Sequence, residues 1–261
     1  LEEISSVAKL ESFMIFGGEP MLYPERAVRF FQKAGRLGIP SIQLITNGFW
    51  GRQRVKAGIW ARKLKEAGVN EVLVSVDAFH HPYIPLEWPK KAASACLQAG
   101  VDTVKWNVSV LEDINADNRY DQETRQILDS LSGLGIEASF NDVWPRGRAA
   151  KNLRRYFTRK PLEDSCPNRG NLVSPAEIGL GPAGRLSICW SMSIGNAKTT
   201  SLADLLEGYD YRKHRVINAL VECGPTALLE FPEAQGFQPQ RERYLDGCEL
   251  CIELRRFMKE T

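Results

Sequence analysis

Short apolar runs alternate with amphipathic stretches through the first 145 or so residues. The opening "LEEISSVAKLE" places Leu1, Ile4, Val7 and Leu10 on one face, as a helix already under way would. "SFMIF" (Ser12 to Phe16) is apolar without a helical period and reads as a short buried strand. Pro24 and Glu25 suit the first turn of a helix that runs to about Leu37, where Gly38 ends it. "SIQLIT" (Ser41 to Thr46) is the next strand, and a helix from about Gln53 to Ala67 follows it. The same unit recurs. "EVLVSVD" (Glu71 to Asp77) precedes the helix "PKKAASACLQAG", "TVKWNVSVL" (Thr103 to Leu111) precedes "DQETRQILDSLSGLG", and "IEASFND" (Ile136 to Asp142) is a fifth strand. Buried strands separated by glycine-stopped helices imply an α/β fold with a parallel sheet. After about residue 145 this rhythm breaks. From Pro161 on, the chain has more turn residues, a hairpin signal and most of its cysteines. Two domains are therefore expected, residues 1–160 and 161–261.

The strand ends share a feature. Each C-terminal end carries polar groups: Glu19, then Thr46 and Asn47, then Ser75 and Asp77, then Asn107 and Ser109, then Asn141. In a (β/α) barrel these ends form the face that carries chemistry, and in an open doubly wound sheet they line a crevice. The first of them, "GGEP" (Gly17 to Pro20), combines two side-chain-free residues, a carboxylate and a stiff exit. A small-molecule contact is built this way, but so is a tight strand–helix turn, and the residues alone leave both open.

At 261 residues and 43% hydrophobic, the chain can bury a substantial core. A formal charge of +2 gives no polyanion signal, so neither nucleic acid nor a membrane surface is an expected partner. No apolar run reaches the length of a membrane span and no signal peptide is visible, which points to a cytoplasmic protein. The first residue is Leu1, and a natural beginning upstream of it is expected.

The cysteines refine the second half. Cys96 lies among Ala95, Leu97 and Ala99 and reads as a small core residue, and Cys223, ending "HRVINALVECG", reads the same way. The other four differ. Cys248 and Cys251 form a two-residue-spaced pair entering a helix. Cys189 follows a turn at Pro182 to Gly184, on the returning strand, and Cys166 stands in the loop "EDSCPNRG". One local pair and two distant cysteines can converge on a metal, and thiolates suit zinc or an iron–sulfur cluster. The stretch has too little apolar sequence for a large core, so such a site would contribute much of its stability.

Taken together, "GGEP" ending one strand, "ITNG" the next, "SVDAFHHPYIP" the third, and "PRGRA" after the fifth resemble the radical S-adenosylmethionine (SAM) enzymes. The resemblance spans nearly the whole chain. It implies a partial, six-unit TIM-like (β/α) barrel whose first strand lies outside this chain. In the family the glycine–glycine–glutamate–proline turn holds the methionine amino group of SAM, a role that falls here to Gly17, Gly18, Glu19 and Pro20. Thr46 and Asn47 line the same face. Ser75 and Asp77 match the position that contacts SAM's ribose or carboxylate, and Asn107 is the candidate on the following strand.

The C-terminal stretch resembles the family's twitch module, a short relative of the SPASM domain. Four residues separate Gly184 from Cys189, with Cys166 upstream and the Cys248–Cys251 pair downstream. That implies one auxiliary four-iron, four-sulfur (4Fe-4S) cluster held by Cys166, Cys189, Cys248 and Cys251. The family's cleaving 4Fe-4S cluster sits on a C-x3-C-x2-C triplet, which is not found in these residues and is expected on a preceding segment. Without it the 261-residue chain is expected to be inactive alone. The resemblance further implies a 5′-deoxyadenosyl radical that takes hydrogen from a small-molecule or peptide substrate, as in peptide maturases or an alcohol dehydrogenase. It also implies a reductant such as flavodoxin or ferredoxin. The alternative is a non-catalytic homologue or binding protein with a structural four-cysteine zinc site. Two further features stay open. His80 and His81 are adjacent on a loop, where neighbours rarely face one target, and Arg146 and Arg148 either meet a substrate carboxylate or begin a solvated basic helix.

Overall fold

A computed structural model describes residues 1–158, 162, 165–239 and 244–259. The chain divides into two compact units, Leu1–Ser5 with Lys9–Trp144, and Ser6–Ala8 with Pro145–Thr261. The expected boundary at 160/161 lies outside the described residues.

The first unit opens with α1 (Glu2–Val7) and then alternates strand and helix: β1 (Ser12–Ile15), α2 (Pro24–Arg36), β2 (Ser41–Thr46), α3 (Arg54–Glu66), β3 (Glu71–Ser75), α4 (Glu87–Gln98), β4 (Thr103–Val110), α5 (Arg119–Leu131) and β5 (Ala138–Asp142). All five strands are parallel, in the order β1-β2-β3-β4-β5. Each strand therefore pairs with its sequence neighbour, as successive βα units require. The sheet is the α/β arrangement of a partial TIM-like fold and does not close into a barrel.

Alternation along the strands sorts the two faces. Ile42, Leu44 and Thr46 on β2, and Val104, Trp106, Val108 and Val110 on β4, are buried. The apolar ones join Val28, Phe31, Ala57, Ala61, Leu64, Ala92 and Cys96 from the helices in one core. The opposite face carries Lys105, Asn107 and Ser109, only partly buried. Within these residues β1 pairs with β2 alone; Phe13 and Ile15 pack against the core while Met14 on the other face is 37% exposed.

The second unit contains α6 (Gly147–Asn152), α7 (Arg169–Val173), an antiparallel sheet of β6 (Gly179–Leu180), β7 (Arg185–Cys189) and β8 (Met192–Asn196), then α8 (Leu202–Glu207), α9 (Arg215–Glu222) and α10 (Gly247–Phe257). The β6–β7 turn falls at Pro182 to Gly184, as the sequence suggests. Gly184 is required there: it has φ +85°, and a Cβ would meet Asn196 Oδ1 at 2.6 Å. This unit also has its own apolar core, built on Leu172, Ile188, Leu220, Leu228, Leu250 and Leu254. The expectation of a weak core is thus corrected, since residues spread over three helices and a hairpin meet in one cluster.

Candidate functional site

Side chains stitch the C-terminal ends of the strands in two sets, β1 with β2 and β3 with β4 and β5. Glu19 is the N-cap of a short 3-10 turn begun by Pro20, and its Oε1 accepts from the Met21 N–H at 2.9 Å. The same oxygen accepts from the Thr46 hydroxyl at 2.8 Å, while Oε2 accepts from the Asn47 N–H at 2.7 Å. Thr46 is nearly inaccessible and also accepts from the Gly48 N–H and Trp50 Nε1. Glu19 therefore spends its carboxylate tying the β1 end to the β2 end. Beside it, Gly17 and Gly18 have φ +82° and +58° and are exposed, and nothing lies within 4 Å of where either Cβ would project. A bare backbone facing open space is a surface against which a ligand can lie.

A second set of contacts crosses the next three strands. Asn107 Nδ2 donates to Ser75 Oγ at 3.3 Å, and Asn141 Nδ2 donates to Asn107 Oδ1 at 2.8 Å. Asp77, fully buried, accepts at Oδ1 from the Phe79 N–H (2.9 Å), the His80 N–H (3.0 Å) and His80 Nδ1 (2.8 Å), and at Oδ2 from the Ser109 N–H (3.1 Å). Four donors occupy its acceptor sites, so what this carboxylate presents to the strand-end face is His80. Burial opposes charge on His80, but the Asp77 hydrogen bond and the Asp77 and Glu19 charges outweigh it and raise its pKa. His81 turns away, with Nδ1 3.7 Å from Glu123. The pairing of His80 with Asp77 was not legible from its own residue type. The signal available was an aspartate three positions earlier, at a strand end.

In the second unit, Cys166 precedes α7, Cys189 ends β7, and Cys248 and Cys251 occupy the first turns of α10. Asn168 and Asn171 both donate to the Ile188 carbonyl, at 2.8 and 2.7 Å, which ties the Cys166 segment to the strand bearing Cys189. The four thiols are free and feel one another's charge. Burial, then Cys248, Cys189 and Cys251, hold the Cys166 thiol up at about 11, against a partly offsetting Asn168 N–H. Burial likewise raises Cys248 and Cys251, opposed by the hydrogen-bonding guanidinium of Arg146 at the first and of Arg255 at the second. Among the described residues, no three His, Cys, Asp or Glu groups are close enough to hold a metal ion. The donor chemistry fits an iron–sulfur cluster or zinc: four unpaired thiols with cations beside two of them.

The remaining cysteines divide. Cys96 is fully buried in the core of the first unit, as its surroundings suggest. Cys223 is exposed at the C-cap of α9, not a core residue, because it follows the last helical turn. Arg146 is neither solvated nor free: its Nη2 donates to both Asp246 oxygens, at 2.9 and 2.8 Å. Among the described residues no helix is long and apolar enough to cross a membrane.

Comparison with known proteins gives matches at low identity. The chain is 25% identical to GTP 3',8-cyclase of Alkaliphilus oremlandii (strain OhILAs) over 203 residues, 70% of this chain and 60% of that protein. It is 26% identical to GTP 3',8-cyclase of Moorella thermoacetica over 191 residues, 64% of this chain and 57% of that protein. A probable GTP 3',8-cyclase of Methanothermobacter marburgensis is 26% identical over 188 residues, 63% and 59% of the two chains. The chain thus spans less than two thirds of the length of these relatives. A family model, the Radical SAM superfamily, matches residues 1–141, more than half of the chain, and the chain belongs to that superfamily.

Proposed function

We propose that the protein is a SAM-dependent radical enzyme that removes a hydrogen atom from its substrate and carries an auxiliary 4Fe-4S cluster on its second unit. The observation that carries the reading is the open Gly17–Gly18 backbone beside the Glu19–Thr46–Asn47 network. In this proposal the methionine amino group of SAM rests on the Gly17–Gly18 backbone carbonyls. Glu19, Pro20, Thr46 and Asn47 act behind them by fixing the turn, since the Glu19 carboxylate already accepts three hydrogen bonds. Ser75 and Asn107, joined to each other, face the ribose or carboxylate. Asp77 serves the ligand through His80. The cofactors supply the electron and the 5′-deoxyadenosyl radical when bound, while these residues bind, orient and exclude water.

The reductant is a flavodoxin or ferredoxin, and the protein works in the cytoplasm. Peptide modification or alcohol dehydrogenation is the proposed chemistry of the substrate. Ring closure on a nucleotide is the second reading, favoured by the names of the relatives. Isothermal titration of the intact gene product with SAM tests the cradle. Gly17→Val should abolish or strongly weaken binding while the fold is retained, and unchanged affinity would restrict the glycines to the turn.

A further inference from the structure

Arg255 is 4% exposed, and an arginine buried to that degree is costly unless a counter-charge meets it. Its contacts among the described residues do not supply one. Nη2 donates to the neutral Ser191 hydroxyl at 2.6 Å, Nε is buried without a hydrogen-bond partner, and no carboxylate pairs with it among the described residues. What lies beside it is sulfur. Arg255 is four residues after Cys251 on α10, one turn along the same face, and the Cys251 thiol is its neighbour. Ser191 follows Cys189 by two residues in the β7–β8 turn, so Arg255 also reaches the other arm of the four-cysteine group. Arg146, beside Cys248, is different: Asp246 already neutralises it.

We propose that Arg255 is the buried counter-charge of the four-cysteine site, built to meet the negative charge that four thiolates leave on a bound metal. The inference rests on the auxiliary-site reading of Cys166, Cys189, Cys248 and Cys251. Four neutral thiols offer Arg255 a weak sulfur acceptor at Cys251 and no charge. Four thiolates around a zinc ion or around a 4Fe-4S core in its oxidised state give a net charge of −2, so only the loaded site completes the pair. Arg255 is a positioning residue: it acts on the ligands Cys251 and Cys189 and does not touch the metal.

The test uses cobalt(II) as a spectroscopic probe on the 261-residue chain, read by thiolate-to-cobalt absorption and by thermal unfolding with and without the metal. Arg255→Met keeps the length and the packing but removes the charge, and Arg255→Lys restores the charge without the fork. Cobalt affinity should fall roughly ten- to a hundredfold in Arg255→Met, the range for a lost hydrogen bond to a charged group. The lysine variant should recover part of it. The metal-free Arg255→Met protein should melt at or above the parent's temperature, because a buried unpaired cation is gone, whereas the loaded protein should melt below it. A purely structural arginine would lower both by the same amount, and that result, or cobalt affinity within twofold of the parent, overturns the proposal. Cys166→Ala and Cys189→Ala must each weaken cobalt binding. If neither does, the four-cysteine reading itself fails, whatever Arg255 shows.

Discussion

Replacing Asp77 by asparagine isolates the buried carboxylate that organises the strand-end face. The side chain keeps its shape but carries one oxygen in place of two. That oxygen can still accept from the three donors on the Oδ1 side, Phe79 N–H, His80 N–H and His80 Nδ1. The amide NH2 then points at the Ser109 N–H, which the carboxylate accepted at 3.1 Å. One charge-assisted bond is lost, a buried donor is left unpaired, and the remaining three bonds lose their ionic partner. At about 1–3 kcal/mol for the orphaned donor and some weakening of the rest, the total is roughly 2–4 kcal/mol. That is a sizeable share of the roughly 5–15 kcal/mol that holds a domain folded, yet it leaves the protein foldable. Urea unfolding at pH 7 should show the midpoint of the first unit moving down with its slope unchanged. A loss below about 0.5 kcal/mol, the size of an ordinary surface change, would refute the network.

Other outcomes follow from the same contacts. His80 has a raised pKa in the folded protein, so its charged pair with Asp77 contributes stability that is fully present below about pH 6.5 and lost as pH rises through the folded value. An NMR titration should find His80 above the ordinary value, and His80→Gln should remove this part of the pH dependence. Titration at or below the ordinary value contradicts it. Glu19→Gln should destabilise the β1–β2 junction, because an amide cannot accept from both the Thr46 hydroxyl and the Asn47 N–H, and hydrogen exchange at Asn47 should quicken; unaltered protection there counts against the stitch. Alanine at Cys166, Cys189, Cys248 or Cys251 should lower the iron bound by anaerobically reconstituted protein, whereas Cys96→Ala, inside the core of the first unit, should lower stability but not iron content.

The alternation of strand and helix was legible because each strand of the first unit is short, apolar and closed by a stopped helix. β2, from Ser41 to Thr46, has the limits its pattern suggests. The polar residues at strand ends were legible as a group, and the parallel sheet brings them to one end. What each one does was not legible. Glu19 and Asp77 look like ligand contacts in one dimension, but each also accepts from a group that only the sheet brings near, Glu19 from Thr46 and Asn47 and Asp77 from the Ser109 N–H. Likewise β8 escaped notice, since "MSIGN" is short and only Met192 of it is buried. The counter-ion of Arg146 lies 100 residues away at Asp246, beyond any local reading.

The most direct measurement is the product formed from SAM. The intact gene product, purified anaerobically, reconstituted with iron and sulfide and reduced, should convert SAM to methionine and 5′-deoxyadenosine. Gly17→Val should suppress that conversion, while Cys96→Ala should leave it intact. A protein with its full iron complement that binds SAM no better than the valine variant, and forms no 5′-deoxyadenosine, would contradict SAM chemistry at these strand ends.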